Sequence, residues 1–243
     1  MDTATLDRGP QAARVHGWAT AWQDEPDTCA ERADRTVEYL PFRVRRVVTR
    51  SDLAQAVAVR SLAYGRHLPP ALTKALRTPE KADTQPGTVI LLAESKLDGS
   101  ALGTMRIQTN AVSPLGMEQS IRLPDWMAGH HLAETTRLAV AGDRSGHLVR
   151  LALVKAGYQF CVMQGIRYMV ITARAPVDRQ YERLLFQDVF PGMGYMPLEH
   201  VFNLPHRVMC FDVEQGEALW TRHNHPLLHF FTRTQHPDIC LNG

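Results

Sequence analysis

The 243-residue sequence predicts one α/β (α+β) domain, a mixed central sheet flanked by helices. Three observations carry that expectation. A strand, a helix and a strand follow one another from Leu132 to Ala173, the pattern of a parallel βαβ crossover. Asp98-Gly99 separates the runs Thr88–Glu94 and Ala101–Gln108, a hairpin signature that supplies antiparallel neighbours. No internal repeat or low-complexity tract divides the chain.

Residues 1–38 are rich in Asp, Glu, Arg, Ala and Thr and weakly periodic, and read as an N-terminal arm, partly disordered or helical. A helix is expected near Ala13 to Trp22, where Val15, Trp18 and Trp22 share a face. The domain proper is expected over 39–243, with order starting at Tyr39. Its first strand is Phe42 to Val48, alternating at its start and rich in Val. Ser51-Asp52 is expected to cap a helix reaching Tyr64, with Leu53, Val57, Arg60 and Tyr64 along one stripe. His67-Leu68-Pro69-Pro70 stops it, and a short helix over Ala71–Leu76 follows. Beyond the hairpin, residues 109–131 carry Pro114, Gly116, Pro124 and Gly129 without a sustained period. So long a connection in a compact domain is often functional. Leu132–Val140 reads as a strand, Ala141–Gly146 as a turn and His147–Gln164 as a helix closed by Gly165. Tyr168–Ala173 reads as a buried strand, then come a helix from Val177 to Phe186 and strands near Met196–Asn203 and Val208–Val213.

Composition narrows the function. The 27 basic and 25 acidic residues leave a net charge of +2, too little for a global field that attracts nucleic acid. Cys29, Cys161, Cys210 and Cys240 are far apart and form no CxxC pair, which argues against a disulfide scaffold and a thiolate zinc site. No apolar run approaches the ~20 residues of a membrane span, and the N-terminus lacks a basic-then-apolar signal pattern. A cytoplasmic protein is the expectation.

Chemistry has several candidate seats. The turn Ala141–Gly146 precedes a helix whose free N–H groups and dipole suit a phosphate, with Arg144 as reinforcement; a plain strand-to-helix turn has the same composition. Glu134 and Arg137 lie on the strand before it. They read either as a base and a carboxylate holder or as a structural ion pair with Asp143 or Arg106. Three positions apart on a regular strand, they face opposite sides unless a bulge intervenes. Arg106 on the neighbouring hairpin strand could meet them side by side. Tyr181 is a possible proton donor or an ordinary helix tyrosine. The late histidines His223, His225, His229 and His236 complete no familiar metal spacing, and Cys161 falls on an apolar helix stripe.

Together the stretches LLAESKLDGSALGTMRI (Leu91–Ile107), ETTRLAV (Glu134–Val140), ITARAPVDRQYERLLF (Ile171–Phe186) and HPLLHF (His225–Phe230) resemble the GNAT acyltransferase superfamily. More narrowly they resemble the N-acyl amino acid synthases, relatives of the acyl-homoserine-lactone synthases. That resemblance implies a GNAT-like fold and transfer of a long-chain fatty acyl group from an acyl carrier protein thioester to the α-amine of an amino acid. It gives Glu134 the amine proton, Tyr181 the leaving thiolate, and Arg106 and Arg137 the substrate cleft. Leu115, Met117, Ile121, Leu123, Trp126 and Met127 would line or cap an apolar tunnel. Arg144, Ser145, Gly146 and Arg150 would meet the phosphopantetheine donor, and Arg150 and Lys155 are candidates for an acidic carrier surface. No metal or tightly bound cofactor is implied. Gly142-Asp143-Arg144-Ser145-Gly146-His147 departs from the usual coenzyme A loop pattern, which favours acyl carrier protein over acyl-CoA as donor. Within the same fold, a homoserine-lactone synthase, an acetyl-CoA-dependent N-acetyltransferase and a catalytically silent acyl- or carrier-binding module remain alternatives.

Overall fold

The computed structural model describes residues 36–142 and 146–242. The arm's expected helix near Ala13–Trp22 lies outside them, as do Arg144 and Ser145. The main elements are β1 (Phe42–Arg46), α1 (Arg50–Gly65), α2 (Pro70–Ala75), β2 (Thr88–Ser95), β3 (Ala101–Thr109), β4 (Leu132–Val140), α3 (Gly146–Met163), β5 (Tyr168–Ala173), α4 (Asp178–Arg183), β6 (Met196–Leu198), β7 (Leu204–Asp212) and α5 (Gly216–Arg222). Their main sheet runs in the order Ile239–Cys240, β1, β2, β3, β4, β5, β7, Gln187–Asp188, with β6 paired on β7. The β4–β5 and Ile239–β1 pairings are parallel, and the other neighbours are antiparallel.

The crossover and the hairpin are both present. Ahead of Tyr39, Thr36–Val37 pairs in parallel with Thr234–Gln235. The α1 cap also differs from expectation. Thr49, not Ser51-Asp52, is the N-cap, and Asp52 closes a capping box as the third helical residue. Arg45 beside it holds the Asp52 carboxyl well below the usual carboxylate range. The expected Met196–Asn203 strand stops at Leu198, where Glu199–Val201 form a 3-10 turn that ends in the left-handed residues Phe202 and Asn203 (φ 63° and 54°).

Alternation along the strands divides the core into two faces. On one face Leu91, Met105, Ile107, Ala133, Met169 and Ile171 pack against α3 through Val149, Ala152, Leu153, Ala156 and Phe160. Gly103 permits that approach, since a Cβ there would sit 2.7 Å from Val149 Cγ1. On the other face Ile90 and Leu92 pack under Ala56 of α1. Leu115, Met117, Met127, Leu132, Val170, Leu198 and Val201 form a further cluster there.

Lys155 is not free to meet a carrier surface. Its side chain is buried, donating to the carbonyls of Phe230 and Thr234 and meeting His236 Nδ1 at 2.8 Å. Burial pulls its ammonium down to about 8. Lys155→Met strands those carbonyls without a donor and should cost roughly 1–3 kcal/mol, read as a lower urea midpoint at unchanged m. A midpoint equal to that of the parent protein would show that the tether contributes nothing.

Candidate active site

The site sits where β4 and β5 part. Their parallel pairing ends at Thr135–Ile171, although β4 continues to Val140 and β5 to Ala173. The loop that precedes β4 and the turn after β6 cover the parting on the face opposite α3.

Glu134 is 1% exposed on β4, in register between Gln108 of β3 and Val170 of β5. Its Oε2 accepts the Met117 N–H at 3.2 Å. That contact needs a close passage of the loop, and Gly116 supplies it: a Cβ there would lie 3.1 Å from Oε2. Nε2 of His200 stands 3.0 Å from the other oxygen, Oε1. It is off the line that a hydrogen bond needs, so Oε1 has no hydrogen-bond partner among the described residues. A buried carboxylate oxygen left without a partner is costly unless something else occupies its lone pairs.

Arg137 has φ +55°, and the β3–β4 register slips between Thr104 and Arg106. This is the bulge without which Glu134 and Arg137 would face opposite sides. It turns Arg137 onto the Glu134 face, where Nε and Nη2 grip both oxygens of Glu80 (2.7 and 2.5 Å) and Nη2 reaches the His200 carbonyl (3.2 Å). Arg106 also arrives there, bonding Thr136 through Nε and Glu80 and Asp83 through Nη1 at 3.1 Å. Arg60 from α1 completes the group with a 2.7 Å bond to Asp83. Burial alone would raise the Glu80 carboxyl; Arg137, Arg106 and Arg60 reverse that and hold it at about 2. The idea that Arg106 or Arg137 grips an acceptor carboxylate therefore meets groups already engaged by internal carboxylates.

The other expected residues are more scattered. Tyr181 of α4 packs edge-on against Phe186 (5.3 Å) on the α3 side of the sheet. Burial pushes its phenol up and keeps it protonated. Arg150 bonds Gln180 at 3.1 Å. Gly146 begins α3 and is buried. Leu115 and Met117 belong to the core. Trp126 is 47% exposed and edge-on to Tyr168. Beside the loop a depression of about 630 Å³ is lined by residues including Ile121, Leu123, Met127 and Leu132.

Sequence reasoning missed His200, Glu80 and Asp83. Glu80 and Asp83 lie in the polar stretch Pro79–Gln85, to which no role was assigned, and His200 lay inside an expected strand. The double left-handed turn at Phe202-Asn203 was the one local signal against that strand, Asn being tolerant of such φ values.

Residues 55–203 match the family described as N-acyl amino acid synthase FeeM. The match spans more than half of the chain. The chain belongs to the N-acyl amino acid synthase FeeM family. It is thus an N-acyltransferase enzyme with a GNAT-like acyltransferase fold. Among solved structures it is similar to FeeM, an N-acyl amino acid synthase from uncultured soil microbes. That likeness has 16% identity and a TM-score of 0.57, over 74% of this chain and 95% of that one. It is also similar to the acyl-homoserine-lactone synthase LasI (12% identity, TM-score 0.52, 71% of this chain and 89% of that one). A third likeness is to the CoA-dependent acyl-homoserine-lactone synthase BjaI with SAM and isopentyl-CoA (19%, TM-score 0.50, 80% and 93%). At such identities these likenesses speak for the fold. No curated protein matches the chain. In this N-acyl amino acid synthase family member, no helix among the described residues is long and apolar enough to cross a membrane.

Proposed function

We propose that the protein moves a long-chain fatty acyl group from an acyl carrier protein thioester to the α-amine of an amino acid. Family membership supports the transfer. The single observation that supports this seat for the chemistry is the buried Glu134 carboxylate, with one oxygen unpartnered, at the parting of β4 and β5. A neutral amine attacks the thioester carbon, the C–S bond breaks, and backbone N–H groups at the parted strands hold the oxyanion. Glu134 draws off the amine proton directly or through water. Tyr181, from the α3 side of the sheet, or solvent returns a proton to the thiolate. The donor reaches the parting past Gly146 and Arg150, which Arg144 and Ser145 precede in the sequence. Ile121, Leu123 and Met127 give the acyl chain an apolar wall. Arg106 and Arg137 position the bulge rather than the acceptor.

Acyl carrier protein is preferred as donor because the Gly142–His147 loop lacks the usual coenzyme A pattern. The test supplies purified protein with an amino-acid mixture and either acyl-ACP or the matching acyl-CoA at equal concentration, with products weighed by mass spectrometry. We expect N-acyl amino acids, formed faster from acyl-ACP. A clear preference for acyl-CoA would overturn the donor reading, and a lactone product would overturn the acceptor reading. Absence of acylated product from either donor would remove the activity.

A further inference from the structure

The His200 side chain is 8% exposed, and its ring bridges the parting itself. Nε2 lies 3.0 Å from Glu134 Oε1 on β4 and 3.3 Å from Thr172 Oγ1 on β5, one residue past the end of that strand's pairing with β4. An ionised carboxylate can only accept, so the tautomer that suits Glu134 carries its proton on Nε2, facing Oε1 and Thr172 Oγ1. In that tautomer Nδ1 has a lone pair. Nδ1 is buried and has no hydrogen-bond partner among the described residues. The backbone of the same residue is pinned by Arg137, whose guanidinium donates to the His200 carbonyl at 3.2 Å. Two unpartnered atoms, Glu134 Oε1 and His200 Nδ1, thus flank one imidazole at the point where the strands separate.

We infer that His200 is a catalytic residue, the terminal acceptor of the amine proton, with Glu134 as its orienting carboxylate. This rests on the acyl transfer proposed above and deepens it by moving direct receipt of the proton from Glu134 to His200. As nitrogen bonds to the thioester carbon, its proton passes to Nδ1, directly or through one water, and the imidazolium is stabilised by Glu134. The C–S bond breaks with its electron pair left on sulfur, and the thiolate takes up a proton. The products are an amide and a thiol, and the imidazolium then returns its proton to solvent. The misaligned Nε2–Oε1 contact needs only a rotation of the ring, and such contacts commonly tighten when substrate binds. Among the described residues, the charged or titratable groups facing the ring are Glu134 from β4, Arg137 at its carbonyl, and His206 of β7.

Two measurements on the full chain test this. In ¹⁵N-labelled protein, long-range ring correlations should show His200 protonated at Nε2 and bare at Nδ1 near neutral pH, a preference weakened in Glu134→Gln. A ring bare at Nε2 would overturn the proposal even if the true acceptor differs from an amino acid. Kinetically, His200→Ala should lower kcat about 10²–10³-fold, lose the acidic limb of the pH–rate profile, and regain at least tenfold with added imidazole. His200→Gln, which fills the site without a base, should stay low and not respond to imidazole. Activity of His200→Gln within threefold of the parent, or an acidic limb retained in His200→Ala, would reduce His200 to a packing residue. Inactivity of the parent toward every amine and donor would instead sink the proposed function, leaving the tautomer measurement to decide His200.

Discussion

Replacing Glu134 by Gln is expected to lower kcat by about 10²–10⁴-fold while the protein stays folded. The amide has the carboxylate's shape, and its oxygen can still accept the Met117 N–H that Oε2 accepts at 3.2 Å. What it loses is the charge that draws a proton toward the parted strands and holds one on His200 Nε2. Since the loss is confined to the transition state, KM for the acceptor should move far less than kcat. Steady-state kinetics beside a urea melt separates the two effects. A folded variant with near-normal turnover would remove Glu134 from the mechanism.

The largest loss of stability is expected from Asp83→Asn. The Asp83 side chain is fully buried, takes the Arg60 guanidinium at 2.7 and 2.9 Å, shares Arg106 with Glu80, and accepts the Glu80 N–H at 2.8 Å. Neutralising it leaves Arg60, 1% exposed, with no ionised partner closer than Glu80 at 3.9 Å. Removing one member of a buried ionic group costs about 3–5 kcal/mol. A urea midpoint indistinguishable from that of the parent would contradict this. Acid should attack the same group. The Glu80 carboxyl falls from an ordinary 4.5 to about 2 in the folded protein, so its stabilising contribution is complete above about pH 4.5 and is lost as pH falls toward about 2.

The sheet was legible because its signals are periodic and local: the hairpin at Asp98-Gly99 and the crossover through α3 need only nearby residues. Glu134, Arg106 and Arg137 were legible as charges embedded in apolar strands. Their partners were not. Glu80 and Asp83 sit in a polar stretch that, read alone, looks solvated, and only the docking of α1 over β3 brings Arg60 to them. The bulge at Arg137 was recognised as the condition for one shared face, but its position is set by pairing with β3, which no strand carries in its own residues. Lys155 misled for a similar reason. A lysine on a helix reads as solvent-facing, and the chain that buries it arrives some 80 positions later (|i−j| = 79 to Thr234).

The parallel pairing of Ile239–Cys240 with β1 places the two ends of the described chain side by side. The family match stops at residue 203 and begins at 55, inside α1. A fragment cut to those limits would lack β1 at one flank and β7 at the other, exposing the hydrogen-bonding rims of β2 and β5 to any strand in reach. Kinship is therefore recorded in a narrower stretch than the one that must fold, and a minimal enzyme has to keep residues on which the family signature is silent.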